Sequence, residues 1–208
     1  MKAIYLGMEY FTRGGLVMWP LLVCSLVSVA VILDRLAFFH RADTERGVSE
    51  RFCRALRKDH WEEARNLARA TKGGLAALAV HLLEAPEYLQ LQEAFVTGES
   101  RSILNRFAHG LPYLKVIVTL SPLLGLLGTI TGMMASFAAL GSRWDNPLAV
   151  TGGVGEALIT TVFGLSIAIV TMCFYAYFSQ RVHQITLEME LLCSTFSEAV
   201  ARKKEHQA

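Results

Sequence analysis

Three uncharged apolar runs, Leu16–Leu33, Val116–Ser142 and Ala157–Gln180, alternate with stretches in which charged residues recur every few positions. A helix that crosses a bilayer needs about 20 apolar residues. Each run therefore predicts a span, the first just long enough. The expected layout is an outer N-terminal segment over 1–15, a span over 16–33 and a helical loop over 34–115. A second span over 116–140, a short hairpin over 141–150, a third span over 151–180 and a helical extension over 181–208 follow. The fold class this predicts is an all-α polytopic membrane protein.

Outside the spans the period is also helical. Phe52, Leu56, His60 and Ala64 recur at helical spacing with Arg and Glu between them. Gly73-Gly74 interrupts that pattern, a helix over Leu75–Leu83 follows, and Pro86 ends it. Residues 88–109 predict one more helix leading into Pro112. Beyond the third span, Val182, Ile185, Met189, Leu192, Phe196 and Val200 form a nearly continuous apolar seam without a breaker. The third span should therefore run on as one helix to about Arg202, roughly 70–80 Å in all. Such a face needs a cover, either the 41–110 helices or a second copy of the chain.

Composition changes this picture little. The chain has 208 residues, 53% of them hydrophobic, and its mean hydropathy is +0.38. Charge adds a direction. Of the 20 Lys and Arg, all but Lys2, Arg13 and Arg143 lie in 34–115 and 181–208. The positive-inside rule then puts the N-terminus and the hairpin outside and the loop and C-terminus in the cytoplasm. Ser28-Val29-Ala30 resembles a signal cleavage site. The long n-region with Glu9 and the apolar run continuing to Leu33 favour a retained span. Cys24 and Cys173 fall in spans and Cys53 and Cys193 in cytoplasmic segments, so reduced thiols are expected.

The candidate chemistry lies inside the second and third spans. Gly125, Gly128, Gly132, Ala135 and Ala139 share one helical stripe, a small-residue ridge that lets another backbone approach. Pro122 removes a backbone donor beside it. In the third span Ala157, Thr161, Gly164, Ala168 and Thr171 share a face. Thr129 and Thr161, set beside glycines on adjoining spans, are read as lining a pore. Thr119, Thr131 and Thr171 are read as bonding back to their own helix. Glu156 opens the third span, where the helix dipole eases a carboxylate, and can serve either a helix start, a subunit contact or the path. No Asp, Glu, Lys, Arg or His lies in the middle of a span. If protons pass here, the group that binds them belongs to another protein.

These residues resemble the MotA/TolQ/ExbB proton-channel family, and within it the ExbB/TolQ-like branch. The resemblance rests on Gly14-Gly15-Leu16-Val17-Met18-Trp19-Pro20-Leu21 with Asp34-Arg35-Leu36, and on Pro122-Leu123-Leu124-Gly125-Leu126-Leu127-Gly128-Thr129 with Gly132-Met133. Glu156-Ala157-Leu158, Thr160-Thr161 and Gly164-Leu165 complete it. It implies a pentamer in the bacterial inner membrane whose second and third spans line a lumen. It also implies an ExbD/TolR-like single-span partner that brings the essential aspartate, a TonB- or TolA-like transducer, and proton flow driving work on the outer envelope, whether import or envelope maintenance. By resemblance Thr129 and Thr161 are lumen threonines and Glu156 the third-span glutamate. The compact loop argues against the flagellar branch.

The alternative is a passive oligomeric membrane scaffold that uses the same ridges for assembly alone. An enzyme is not expected: all six His lie outside the spans, and no intramembrane catalytic or metal-binding pattern is present. No cofactor is expected, and the interleaved acids and bases suit a solvated surface near lipid headgroups rather than nucleic acid.

Overall fold

The computed structural model describes residues 15–42, 48–71, 74–84, 98, 101–142 and 147–205. Among these there is no strand. The helices are α1 (Met18–Ala42), α2 (Val48–Arg57), α3 (Trp61–Ala70), α4 (Gly74–Glu84), α5 (101–108), α6 (Leu111–Ser142) and α7 (Pro147–Glu205). Three stretches, within Met18–His40, Arg101–Ala138 and Gly153–Lys203, are long and apolar enough to cross a membrane. The chain divides into two compact units. One comprises Met1–Asp34 and Gly110–Tyr177, the other Arg35–His109 and Phe178–Ala208.

The first, the membrane unit, packs residues of α1, α6 and α7, with small and hydroxylated side chains where α6 meets α7. Val17, Met18 and Leu21 form an apolar cluster backed by Leu124 and Ile167. Ser121, Ala157, Thr160, Ala168 and Thr171 are buried, while Leu126, Met134, Phe137, Leu158 and Ile169 are exposed. That inversion suits helices whose outer surface meets hydrocarbon. Pro20 lies in the first turn of α1, where its missing N–H leaves nothing unpaired. Pro122 lies inside α6 and withholds a donor from the carbonyl four residues earlier, yet the helix continues through it.

The second, the charged unit, has an ordinary water-soluble core. α2 packs on α3 and α3 on α4. Phe52, Leu56, Ala64, Leu78, Met189, Leu192 and Phe196 are buried. The apolar seam of α7 is therefore covered from within the chain over 189–200: Trp61 meets Phe196 edge-on at 6.2 Å, and Lys203 sits 4.9 Å over the Trp61 ring. A second cluster joins Phe38, Phe39, Phe107 and Phe178, with Phe39 stacked on Phe178 at 5.5 Å. Arg35 is buried beside it, donating to the Arg106 carbonyl at 3.1 Å and lying 4.9 Å over Phe38.

One sequence reading needs correction here. Phe52, Leu56, His60 and Ala64 do not share one helix. The chain turns at 58–60, with Asp59 at φ 57°, its N–H bonded to the Leu56 carbonyl and the His60 N–H to the Ala55 carbonyl. This paired reverse bonding stops a helix in the left-handed region, a position that Asp tolerates better than bulky residues. Periodicity alone misses it because the turn is nearly one helical turn long. The helix expected over 88–109 falls largely outside the described residues, which hold only 98 and 101–109 of it, helical at 98 and over 101–108.

Candidate functional site at the α6–α7 seam

The seam is built where glycine removes the side chain that would hold two helices apart. A Cβ on Gly164 would stand 2.6 Å from the Ser121 carbonyl oxygen and 3.0 Å from Gly125 Cα, both backbone atoms of α6. One on Gly125 would meet Thr161 Cα at 3.1 Å. Gly128 faces the Thr160 side chain, whose Cβ would lie 2.7 Å from an added carbon. Gly132 faces Ala157 at 3.0 Å, and Gly153 leaves the notch that the Ser136 side chain fills. The helices therefore approach almost backbone to backbone along this seam, as small-residue ridges permit.

The ridge differs from the predicted one at both edges. On α6 it runs Ser121, Gly125, Gly128, Gly132, Ser136; Ala135 is exposed, and the side chain of Ala139 lies outside the described residues. Ser136 is buried without leaving its hydroxyl unsatisfied, because it donates to the Gly132 carbonyl at 2.9 Å. On α7 the buried line passes through Ala157, Thr160, Gly164, Ala168 and Thr171, so Thr161 sits half-buried at its margin. Thr160 and Ser136 are seam residues that the sequence pattern did not single out. Gly153 with Ala157, Thr160 and Gly164 repeats at 4-3-4 spacing, and that signal could have found Thr160.

The threonines divide by where their hydroxyls go. Thr119 and Thr131 bond back to the carbonyls of Lys115 and Leu127, as expected of membrane threonines. Thr171 does not: its Oγ1 is buried with no hydrogen-bond partner among the described residues, contrary to that expectation. Thr129 donates to the Leu126 carbonyl at 2.7 Å. Thr161 alone of these reaches another helix, donating to the Gly125 carbonyl of α6 at 2.9 Å. Glu156 lies within α7, and its side chain falls outside the described residues. Among the described residues no His, Cys, Asp or Glu cluster is arranged to hold a metal ion.

Comparison with known proteins adds a family to this geometry. Residues 67–191 match the family described as the MotA/TolQ/ExbB proton channel family. A putative biopolymer transport protein of ExbB-like type from Synechocystis is 35% identical over 188 residues, which cover 85% of this chain and 87% of that one. An ExbB biopolymer transport protein of Vibrio cholerae is 33% identical over 175 residues, 74% of this chain and 71% of its own. The Tol-Pal system protein TolQ of Haemophilus influenzae is 37% identical over 101 residues, covering 45% of this chain and 44% of that one.

Proposed function

The chain belongs to the MotA/TolQ/ExbB proton channel family, and from that premise we propose that it is the pore-forming subunit of an ExbB/TolQ-like motor in a bacterial inner membrane. In this reading several copies, five by family resemblance, surround a lumen lined by Thr129 and Thr161. The N-terminus faces the periplasm and the charged unit the cytoplasm. An ExbD/TolR-like single-span partner supplies the carboxyl group that carries the proton, and a TonB- or TolA-like transducer delivers the work.

The observation that carries the reading is a mismatch within the membrane unit. Hydroxyls gather at the α6–α7 seam, yet Leu16–Leu33, Val116–Ser142 and Ala157–Gln180 hold no Asp, Glu, Lys, Arg or His. Hydroxyls can guide a proton path but cannot hold the proton at physiological pH. A borrowed carboxyl resolves the mismatch. A second reading, a passive scaffold, draws support from the Thr161 hydroxyl, which already joins two helices of one chain.

Proton flux into liposomes separates the two. We expect no flux from this chain alone, flux when it is reconstituted with the ExbD-like partner, and loss of flux when the partner's membrane aspartate becomes Asn. Flux from the chain alone would remove the need for a borrowed acid. Absence of flux from an intact complex would favour the scaffold.

A further inference from the structure

A threonine hydroxyl has one proton to donate and two lone pairs to offer. A backbone carbonyl oxygen has no proton, so a hydroxyl bonded to one must be the donor. Thr129 donates to the Leu126 carbonyl at 2.7 Å and Thr161 to the Gly125 carbonyl at 2.9 Å. Both threonines assigned to the path have therefore committed their protons to backbone. What each can still offer a third group is lone pairs alone.

We infer that Thr129 and Thr161 form an acceptor-only surface that receives a protonated carboxylic acid and disfavours a carboxylate. The inference rests on the proposed function and adds the charge state that the seam selects. A neutral acid has an O–H to give to a threonine Oγ1. A carboxylate has only lone pairs and would meet lone pairs. Hydrogen bonding to the neutral form of an acid favours that form, so the seam raises the affinity of the visiting carboxyl for its proton. Neither threonine takes or releases the proton. Each accepts a hydrogen bond from the acid's O–H, and the proton stays on the carboxyl oxygen.

The surroundings reinforce the selection. The apolar runs of α1, α6 and α7 bring no Asp, Glu, Lys, Arg or His to offset a buried carboxylate. Their weak acids are Cys24, Cys173, Tyr175 and Tyr177, and Glu156 precedes Thr161 on α7.

Thr161 adds a mechanical consequence. Ser28, Thr131, Ser136 and Ser166 donate within their own helices, to the carbonyls of Ser25, Leu127, Gly132 and Val162. The Thr161 donor instead ties α7 to α6. For Thr161 to donate to a carboxylate it must release Gly125. A neutral acid thus leaves the seam clasped, and an ionised one is received only by unclasping it. Loss of the proton is coupled in this way to the contact between two spans.

The test is a pH titration of the partner's membrane aspartate in the purified complex with the ExbD-like partner in nanodiscs. The infrared carbonyl band of its protonated form is read, and the band is assigned by its loss in the partner's Asp→Asn variant. Thr161→Val should lower the protonation midpoint, with a rise of about three- to tenfold in the acid dissociation constant for one lost hydrogen bond. Thr129→Val should act in the same direction, and Thr161→Ser should keep the wild-type midpoint. Thr129→Val preserves the interhelix bond and carries the test if Thr161→Val does not assemble. An unchanged or higher midpoint in the valine variants would overturn the inference. If flux still depends on the aspartate in that case, the proposed function survives; flux that ignores the aspartate would sink both.

Discussion

Along the α6–α7 seam of the membrane unit the residues sealed away are Ser121, Ser136, Ala157, Thr160 and Thr171, and those left exposed on the same helices include Leu126, Met134, Phe137 and Ile169. In the charged unit Phe52, Leu56, Leu78, Met189 and Phe196 are sealed, while Arg51, Arg54, Glu62 and Glu63 lie outside. The same chain thus sorts its residues by two rules. Against water, burial of large apolar side chains drives packing. Against hydrocarbon that drive is missing, and helices associate through close approach and hydrogen bonds between them, which favours small and hydroxylated residues. Ion pairs such as Arg65–Glu62 at 3.4 Å sit in the open and add little.

On this distinction, trimming a large outward-facing side chain of the membrane unit should matter far less than trimming a core side chain of the charged unit. Phe52 is 1% exposed and Leu126 is 55% exposed. Phe52→Ala should destabilise the charged unit by about 3–5 kcal/mol, the usual loss for an emptied aromatic core site. Leu126→Ala, which exchanges one lipid contact for another, should stay within about 0.5 kcal/mol. Hydrogen-exchange protection of α2–α4 and thermal unfolding in detergent would measure both. A large effect at Leu126 would break the comparison, because it would mean that protein rather than lipid covers that face.

The reverse experiment enlarges small residues. Gly164→Ala drives a carbon against α6 backbone, which cannot turn aside, and should lose stability at the upper end of the roughly 1–3 kcal/mol typical of overpacking. Gly128→Ala presses on the stiff β-branched Thr160 side chain and should lose somewhat less. Gly132→Ala meets nothing nearer than the Ala157 methyl at 3.0 Å, with backbone atoms of Ala157 and Gly153 at 3.3 Å, and should be milder still. A Cβ on Gly155 meets nothing within 4 Å, so Gly155→Ala should be neutral or gain up to about 1 kcal/mol of helix propensity. Thermal midpoints of the four variants in one detergent would rank them. A flat series would mean that the seam is not close-packed.

The same two rules account for what was legible in the sequence. The three long apolar helices were visible because a charge-free run of that length is rare in a chain that folds in water. The seam of Met189, Leu192, Phe196 and Val200 was visible as period, but its cover was not. Whether Trp61 or a second copy would meet Phe196 depends on tertiary contacts that no local pattern encodes. At the candidate site, Gly125, Gly128, Gly132 and Gly164 stand out by spacing, and a Cβ added at each would crowd an atom of the facing helix. Spacing separates Thr160 from Thr161 poorly. Neighbouring positions on a helix differ by about 100°, and crossing helices shift which of the two faces inward. The Thr161–Gly125 bond was invisible for a related reason: it joins residues 36 apart.

The smallest effect expected concerns Cys53, the point at which the water-soluble core meets a titratable group. Cys53 is 4% exposed, and burial pushes its thiol above the usual thiol range, while a hydrogen bond with Thr195 and the nearby Arg57 charge pull the other way. A thiol whose folded pKa is raised stays neutral while the unfolded chain has begun to ionise. Stability is therefore level below the ordinary thiol pKa and falls as pH rises through the interval up to the folded value. Urea unfolding of the charged unit between about pH 7 and pH 10 should show that decline on top of the background titration, and Cys53→Ala should remove its share. Iodoacetamide should label Cys53 more slowly than an exposed thiol at the same pH, because the thiolate is the reactive form. Rapid labelling of the folded protein would place the Cys53 sulfur in contact with water. It would also show that the α2–α7 packing around Cys53 and Thr195 is looser than the burial of those two residues indicates.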